Sequence, residues 1–215
     1  MPVITIGRQF GAGGTTVGEM LARELHVDLL ESRIIDEVAH RLQLPKEEVE
    51  AEDEQPGSLL ARLLVALGSA STEPLVPPEA AAWQPPNTDP AFDTRKAVLQ
   101  ITQHVIEEAA REGNVVIVGR GGAYILRDFP GALHVFLRAA EAVRLKAIMD
   151  RYNITSEEEA RKRLKRTDEN WTSYINQVYG HDRNLAAHYD LVLDTGRLGY
   201  KATVETIIAA LKGKT

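Results

Sequence analysis

Gly11-Ala12-Gly13-Gly14-Thr15-Thr16 is a run of small residues that ends in two hydroxyls. Without bulky side chains such a backbone bends around an anion and turns its N–H groups inward. The apolar run Val3–Ile6 precedes it, and an amphipathic pattern of Val17, Met20, Leu21 and Leu25 follows. The order is strand, glycine loop, helix, so the positive dipole end of the helix falls on the same spot. Thr15 and Thr16 stand where a hydroxyl reaches a magnesium ion or a phosphate oxygen. The most economical occupant is a nucleoside triphosphate; the bland alternative is a glycine turn that binds nothing.

Against the pattern G-x-x-x-x-G-K-[ST], Gly13 falls on the second glycine, Arg8 on the first, Gly14 on the lysine and Thr15 on the hydroxyl. The lysine is missing. Arg8, at the entrance of the loop, is placed to supply the lost charge, because guanidinium is a good phosphate partner.

A second glycine-rich turn, Gly119-Arg120-Gly121-Gly122, follows the apolar run Val115–Val118. Glycine on either side of an arginine allows a tight turn and leaves the guanidinium at the strand's end to bind phosphate or carboxylate. An ion pair with an acid such as Glu31 is the plainer reading of Arg120. The third charged feature is Arg144–Arg183, with Arg144, Lys146, Arg151, Arg161, Lys162, Arg163, Lys165, Arg166 and then Asp168. Ser156 followed by Glu157–Glu159 predicts a helix start. A solvated helix laced with ion pairs is the ordinary meaning of such a run. So many cations in one stretch of an acidic chain also fit an element that closes over phosphates. The histidines show no metal-ligand spacing, and no Ser-His-Asp order stands in a nucleophile-elbow context.

These residues need a frame. Five apolar runs, Val3–Ile6, Leu29–Leu30, Val115–Val118, Leu133–Leu137 and Leu191–Leu193, read as buried parallel strands. Helical patterns lie between them at Thr16–Leu25, Lys96–Arg111 and Ala202–Leu211. The alternation predicts an α/β fold with a parallel sheet covered on both faces. Ligands of such sheets bind beyond the carboxyl ends of the strands, so Gly7–Gly14, Glu31–Arg33 and Gly119–Gly122 should meet in space. Between the second and third strands, Ile34–Leu42 and the apolar Leu59–Leu67 read as helices, and Glu73–Pro90 reads as a proline-rich loop.

Composition bounds the rest. The 215 residues suffice for one α/β domain, and no cysteine is present, which excludes disulfides, thiolate metal sites and cysteine nucleophiles. A net charge of −6 argues against broad nucleic-acid binding. No signal peptide and no apolar span of membrane length is read from the sequence, so a cytoplasmic location is expected.

VITIGRQFGAGG, LLESRII, VVIVGRGGAYIL, RLKRTD and DLVLDTGRLG together make the chain similar to the cytidylate-kinase-like family, a branch of the P-loop nucleoside monophosphate kinases. The resemblance spans nearly the whole chain. It implies a three-layer P-loop NTPase fold with a five-stranded parallel sheet. The core would be residues 1–33, 96–143 and 184–215, with a helical acceptor-binding insertion at 34–95 and a lid at 144–183. It implies transfer of the ATP γ-phosphoryl group to a nucleoside monophosphate, CMP or dCMP foremost, with ATP and Mg2+ as cofactors. Gly11, Ala12, Gly13, Gly14, Thr15 and Thr16 match the ATP phosphate loop, with Thr15 toward the metal. Arg120 matches the arginine that grips the acceptor, and Arg33 and Gly119 join it on the acceptor side. Arg8, with Arg161, Arg166 and Asp168 of the lid region, is assigned to catalysis. The expected partner is the monophosphate substrate, with no membrane or nucleic acid, in a monomer or homodimer. The chain departs from the family pattern at Gly121, where an acid usually follows the arginine, and at Asn170–Trp171, where another lid arginine is usual. A nucleotide-binding regulatory protein without turnover, or a kinase for another small acceptor, are the other readings.

Overall fold

The computed structural model describes residues 1–31 and 94–214. The expected helices at Ile34–Leu42 and Leu59–Leu67, the loop at Glu73–Pro90, and Arg33 lie outside the described residues.

Strands β1 (Val3–Arg8), β2 (Asp28–Leu30), β3 (Val115–Val118), β4 (Ala132–Arg138) and β5 (Leu191–Asp194) form one all-parallel sheet in the order β2-β3-β1-β4-β5. The central strands are the most apolar ones, and they are buried along most of their length. Side chains alternate between two cores with the period of a strand. Ile4, Ile6, Val116, Val118, Leu133, Val135 and Leu137 face one layer, which holds Val17 and Leu21 of α1 (Gly14–Leu25) and Ile207 of α6 (Thr195–Gly213). Val3, Val115, Ile117 and Ala132 face the other layer, which holds Val105, Ile106 and Ala110 of α2 (Thr94–Glu112) and Leu126 beside α3 (Gly122–Ile125). The three layers match the expected α/β fold.

Register brings the strand ends together. Ile6 pairs with Val118, and Leu30 pairs with Ile117. The chain therefore leaves β1 at Arg8, β2 at Glu31 and β3 at Gly119 along one edge of the sheet.

The basic stretch after β4 forms two packed helices, α4 (Glu141–Tyr152) and α5 (Glu157–Tyr179). Ser156 caps α5, its hydroxyl accepting from the Glu159 N–H. Leu145 and Ile148 of α4 meet Ala160 and Leu164 of α5, and Phe10 of the glycine loop packs against this cluster. The phosphate-sized loop and the two helices thus share apolar contacts. No described helix is long and apolar enough to cross a membrane.

Candidate functional site

A cavity of about 610 Å³ opens at that sheet edge. Its floor is the loop from Gly7 to Thr16, and its far wall is Val118–Tyr124. Gly11 and Gly13 have φ of 79° and 77°, a region that L side chains rarely adopt. A Cβ on Gly11 would also lie 2.8 Å from the Arg144 carbonyl oxygen, so the loop's backbone is pressed against α4. Helix α1 opens at Gly14 with no side chain capping it. Its first N–H groups are the ones an α-helix leaves without internal partners, and Gly14, Thr15 and Thr16, which carry three of them, line the cavity. The ring of Tyr200 lies over Gly13: a Cβ there would run into Tyr200 Cε1.

Arg8, Arg120, Arg151 and Arg183 all line the cavity. Burial lowers the pKa of Arg8; Arg120, Arg183 and Arg151 lower it further, and Glu31 opposes them. Four guanidiniums in one concavity make it electropositive, a setting that suits a polyphosphate with its several charges; Arg183 is already balanced in part by Asp168, 3.7 Å away. Glu31 does the same for Arg8. One of its oxygens accepts from Arg8 Nη2 and from the Thr15 hydroxyl, each at 3.0 Å. A hydroxyl and a carboxylate side by side are hard oxygen donors of the kind magnesium takes, so these residues fit such an ion.

Asp168 has a different position. It does not line the cavity; it sits behind the glycine loop. Its carboxylate accepts from the Phe10 N–H at 3.0 Å and pairs with Arg144, whose guanidinium also donates to the Phe10 carbonyl. Arg183 donates to the carbonyls of Arg8 and Asp168 while its own side chain is buried. Asp168, Arg144 and Arg183 therefore hold the backbone of residues 8–10.

The structure brings Arg8, Gly11, Gly13, Gly14, Thr15, Thr16, Gly119 and Arg120 to one cavity. Ala12 lies beneath the same loop, buried, with its carbonyl accepting from Thr195 Oγ1. Arg161 and Arg166 do not line the cavity. Arg161 is exposed and pairs with Glu141 and Glu157; Arg166 is exposed on α5. Sequence reasoning gave no individual role to Arg151, Arg183 or Tyr200. Arg151 ends α4 and Tyr200 follows a break in α6 at Gly199 (φ 74°, ψ 161°), so only the tertiary fold turns them toward the loop.

A parallel sheet in this order, with a glycine loop leading from the first strand into a helix, defines a P-loop kinase-type fold. Within that class the chain belongs to the cytidylate kinase-like family, whose sequence profile matches residues 3–197. It is 35% identical over 119 residues to a cytidylate kinase of Ignicoccus hospitalis, covering 55% of this chain and 64% of that protein. It is 34% identical over 104 residues to one of Pyrococcus horikoshii, covering 53% of that protein. In these matches the chain spans between half and two thirds of the relative's length. A longer match, to a cytidylate kinase of Pyrobaculum islandicum, is 28% identical and covers 92% of this chain and 86% of the relative. Among solved structures, an uncharacterized protein from Eubacterium ventriosum superposes with a TM-score of 0.68 at 20% identity, covering 99% of both chains. A shikimate kinase from Bacteroides thetaiotaomicron gives 0.53 at 14% identity, covering 98% of both. These two likenesses are of fold.

Proposed function

We propose that this protein transfers the γ-phosphoryl group of ATP to a nucleoside monophosphate, with CMP or dCMP the first acceptors to test. The observation that carries the reading is the convergence of Arg8, Arg120, Arg151 and Arg183 on a cavity floored by an uncapped glycine loop. The family membership supports it, as do the cytidylate kinases among the relatives.

Phosphoryl transfer asks a protein for positioning and positive charge more than for covalent chemistry. An acceptor phosphate oxygen attacks the γ-phosphorus, the bond to the β-phosphate oxygen breaks, and ADP leaves. The N–H groups of the loop and of the first turn of α1 hold the donor phosphates. Thr15, with Glu31 beside it, would hold magnesium, which would supply positive charge to the donor phosphates when bound. Arg120 and Gly119, at the end of β3, take the acceptor side, and Arg33 is assigned there by sequence. Arg151 faces the cavity from α4 and takes the covering role that the sequence suggested for Arg161 and Arg166. Residues 144–183 act as the lid that excludes water, without which ATP would be hydrolysed. The expected particle is a monomer or homodimer acting in the cytoplasm.

The test is an ADP-release assay across CMP, dCMP, UMP, AMP, GMP and small hydroxyl acceptors. Release that depends on CMP or dCMP supports the reading. Release with a hydroxyl acceptor alone moves the protein to another kinase specificity. ATP binding without release under any acceptor would make it a nucleotide-binding protein without turnover.

A further inference from the structure

Arg8 takes a course that explains two glycines. A Cβ placed on Gly14 would lie 2.7 Å from Arg8 Cγ and 3.0 Å from its Cδ. A Cβ on Gly119 would run into Arg8 Nη1. The arginine stem therefore passes directly over the first residue of α1, and its guanidinium ends above the turn after β3, 3.0 Å from Glu31. Gly119 has a φ of 81° and would favour glycine on backbone grounds alone. Gly14 does not: it is not among the positive-φ glycines, and nothing in its backbone demands the absence of a side chain. What occupies the space where a side chain at position 14 would begin is Arg8.

We infer that Arg8 and Gly14 are an exchanged pair, in which Arg8 grips the donor's terminal phosphates in place of a lysine at position 14. In G-x-x-x-x-G-K-[ST] the glycine comes first and the cation seventh. Here the cation comes first, at Arg8, and the glycine seventh, at Gly14. Each residue excludes the other's usual occupant, since a lysine stem at 14 would meet the arginine stem already lying there. The charge enters the same space from β1 instead of from α1. Glu31 holds the guanidinium over the loop, and the buried Arg183 fixes the Arg8 carbonyl. The ligand chemistry is a chain of phosphates. This inference rests on the phosphoryl-transfer reading and names the cation within it.

The experiment measures binding of inorganic tripolyphosphate and of a non-hydrolysable ATP analogue by titration calorimetry, with a thermal melt for every variant. Arg8→Met keeps an apolar stem over Gly14 and removes the charge. It should hold its fold and bind tripolyphosphate about ten- to a hundredfold more weakly, the range for losing a charge-assisted bond. Gly14→Lys alone should bind more weakly and melt lower, because two stems compete for one space. Arg8→Gly combined with Gly14→Lys writes the general pattern back into the loop and should recover most of the affinity that Arg8→Gly loses. Such recovery is a strong non-additivity, which independent sites would not show. Wild-type affinity in Arg8→Met would overturn the assignment and leave the phosphoryl-transfer reading standing. So would a Gly14→Lys variant that melts and binds as the wild type does, or a double variant no better than the sum of its parts. If the wild-type protein binds neither probe, the phosphoryl-transfer reading falls first and this inference with it.

Discussion

Asp168, in the middle of α5, accepts a hydrogen bond from the backbone N–H of Phe10 at 3.0 Å, across 158 residues of sequence. The same carboxylate pairs with Arg144, whose side chain is only 10% exposed. An aspartate in a helix of the basic stretch is thus part of the floor's support. Removing one partner of a buried pair strands the other charge, at a cost of about 3–5 kcal/mol. Asp168 is partly open to solvent, so Asp168→Asn should cost about 3 kcal/mol, near the low end of that range. Chemical denaturation checks it. A variant of unchanged stability and reduced turnover would instead place Asp168 in direct contact with the reacting groups.

Arg161 and Arg151 make a second contrast. Arg161 is 57% exposed and shared between Glu141 and Glu157. Exposed pairs of this kind contribute about 0–1 kcal/mol. Arg151 lines the cavity and helps to depress the Arg8 pKa. Arg161→Ala should therefore leave melting temperature and turnover close to wild type. Arg151→Ala should lower turnover with little change in melting. The comparison is steady-state kinetics beside a thermal melt. If Arg161→Ala loses turnover as Arg151→Ala does, the helices must close by enough to bring Arg161 onto the phosphates.

The frame was legible because strands and glycine turns announce themselves locally. Val115–Val118 is four apolar residues between turn signals, and it is a strand with those same bounds. Ser156 followed by acids caps a helix as its chemistry dictates. The charged stretch after β4 was not sorted, because nothing local separates Arg144 from Arg161. Both sit on helices, yet one is buried against Asp168 and Phe10 and the other faces water. Their fates depend on which face of α4 or α5 meets the glycine loop, and Phe10 settles that by packing into the Leu145–Leu164 cluster. Arg183 was opaque for a similar reason. Its partners are the carbonyls of residues 8 and 168, which no spacing rule connects.

His134 gives the fold a pH dependence. It is buried in β4 with Nδ1 2.8 Å from the Thr5 hydroxyl, and burial pushes its pKa below the ordinary histidine value. Asp190 pulls the other way and Lys214 adds to the depression. Above about pH 6.5 the unfolded chain and the folded protein are both unprotonated here, so the contribution is full. Below that value the unfolded chain takes up a proton that the folded protein resists, and stability falls, by at most about 1.4 kcal/mol per pH unit for one group. Denaturant titrations between pH 8 and 5 should show this decline, and His134→Asn should flatten it. An unchanged slope in the variant would assign the acid sensitivity to other groups.

Arg120 allows its side chain and its backbone to be tested apart. It has φ of 53°, between Gly119 at 81° and Gly121 at 74°, so three successive residues turn in the left-handed region. A residue with a Cβ is held there at a cost of roughly 1–2 kcal/mol. The chain accepts that cost at the one position of the turn that carries a charge, at the carboxyl end of β3 and in the wall of the cavity. Arg120→Ala keeps the strain and removes the guanidinium; Arg120→Gly removes both. Both should weaken acceptor binding by roughly one to two decades, the value of a lost charge-assisted bond, and leave affinity for an ATP analogue little changed. Their stabilities should part, with Arg120→Gly melting higher than Arg120→Ala because glycine meets no penalty at this φ. The measurement is acceptor and ATP-analogue affinity by calorimetry, with a melt for each variant. If Arg120→Gly binds the acceptor as the wild type does, the turn's backbone carries the recognition. If ATP-analogue affinity collapses in both while acceptor affinity holds, Arg120 belongs with Arg8 on the donor side.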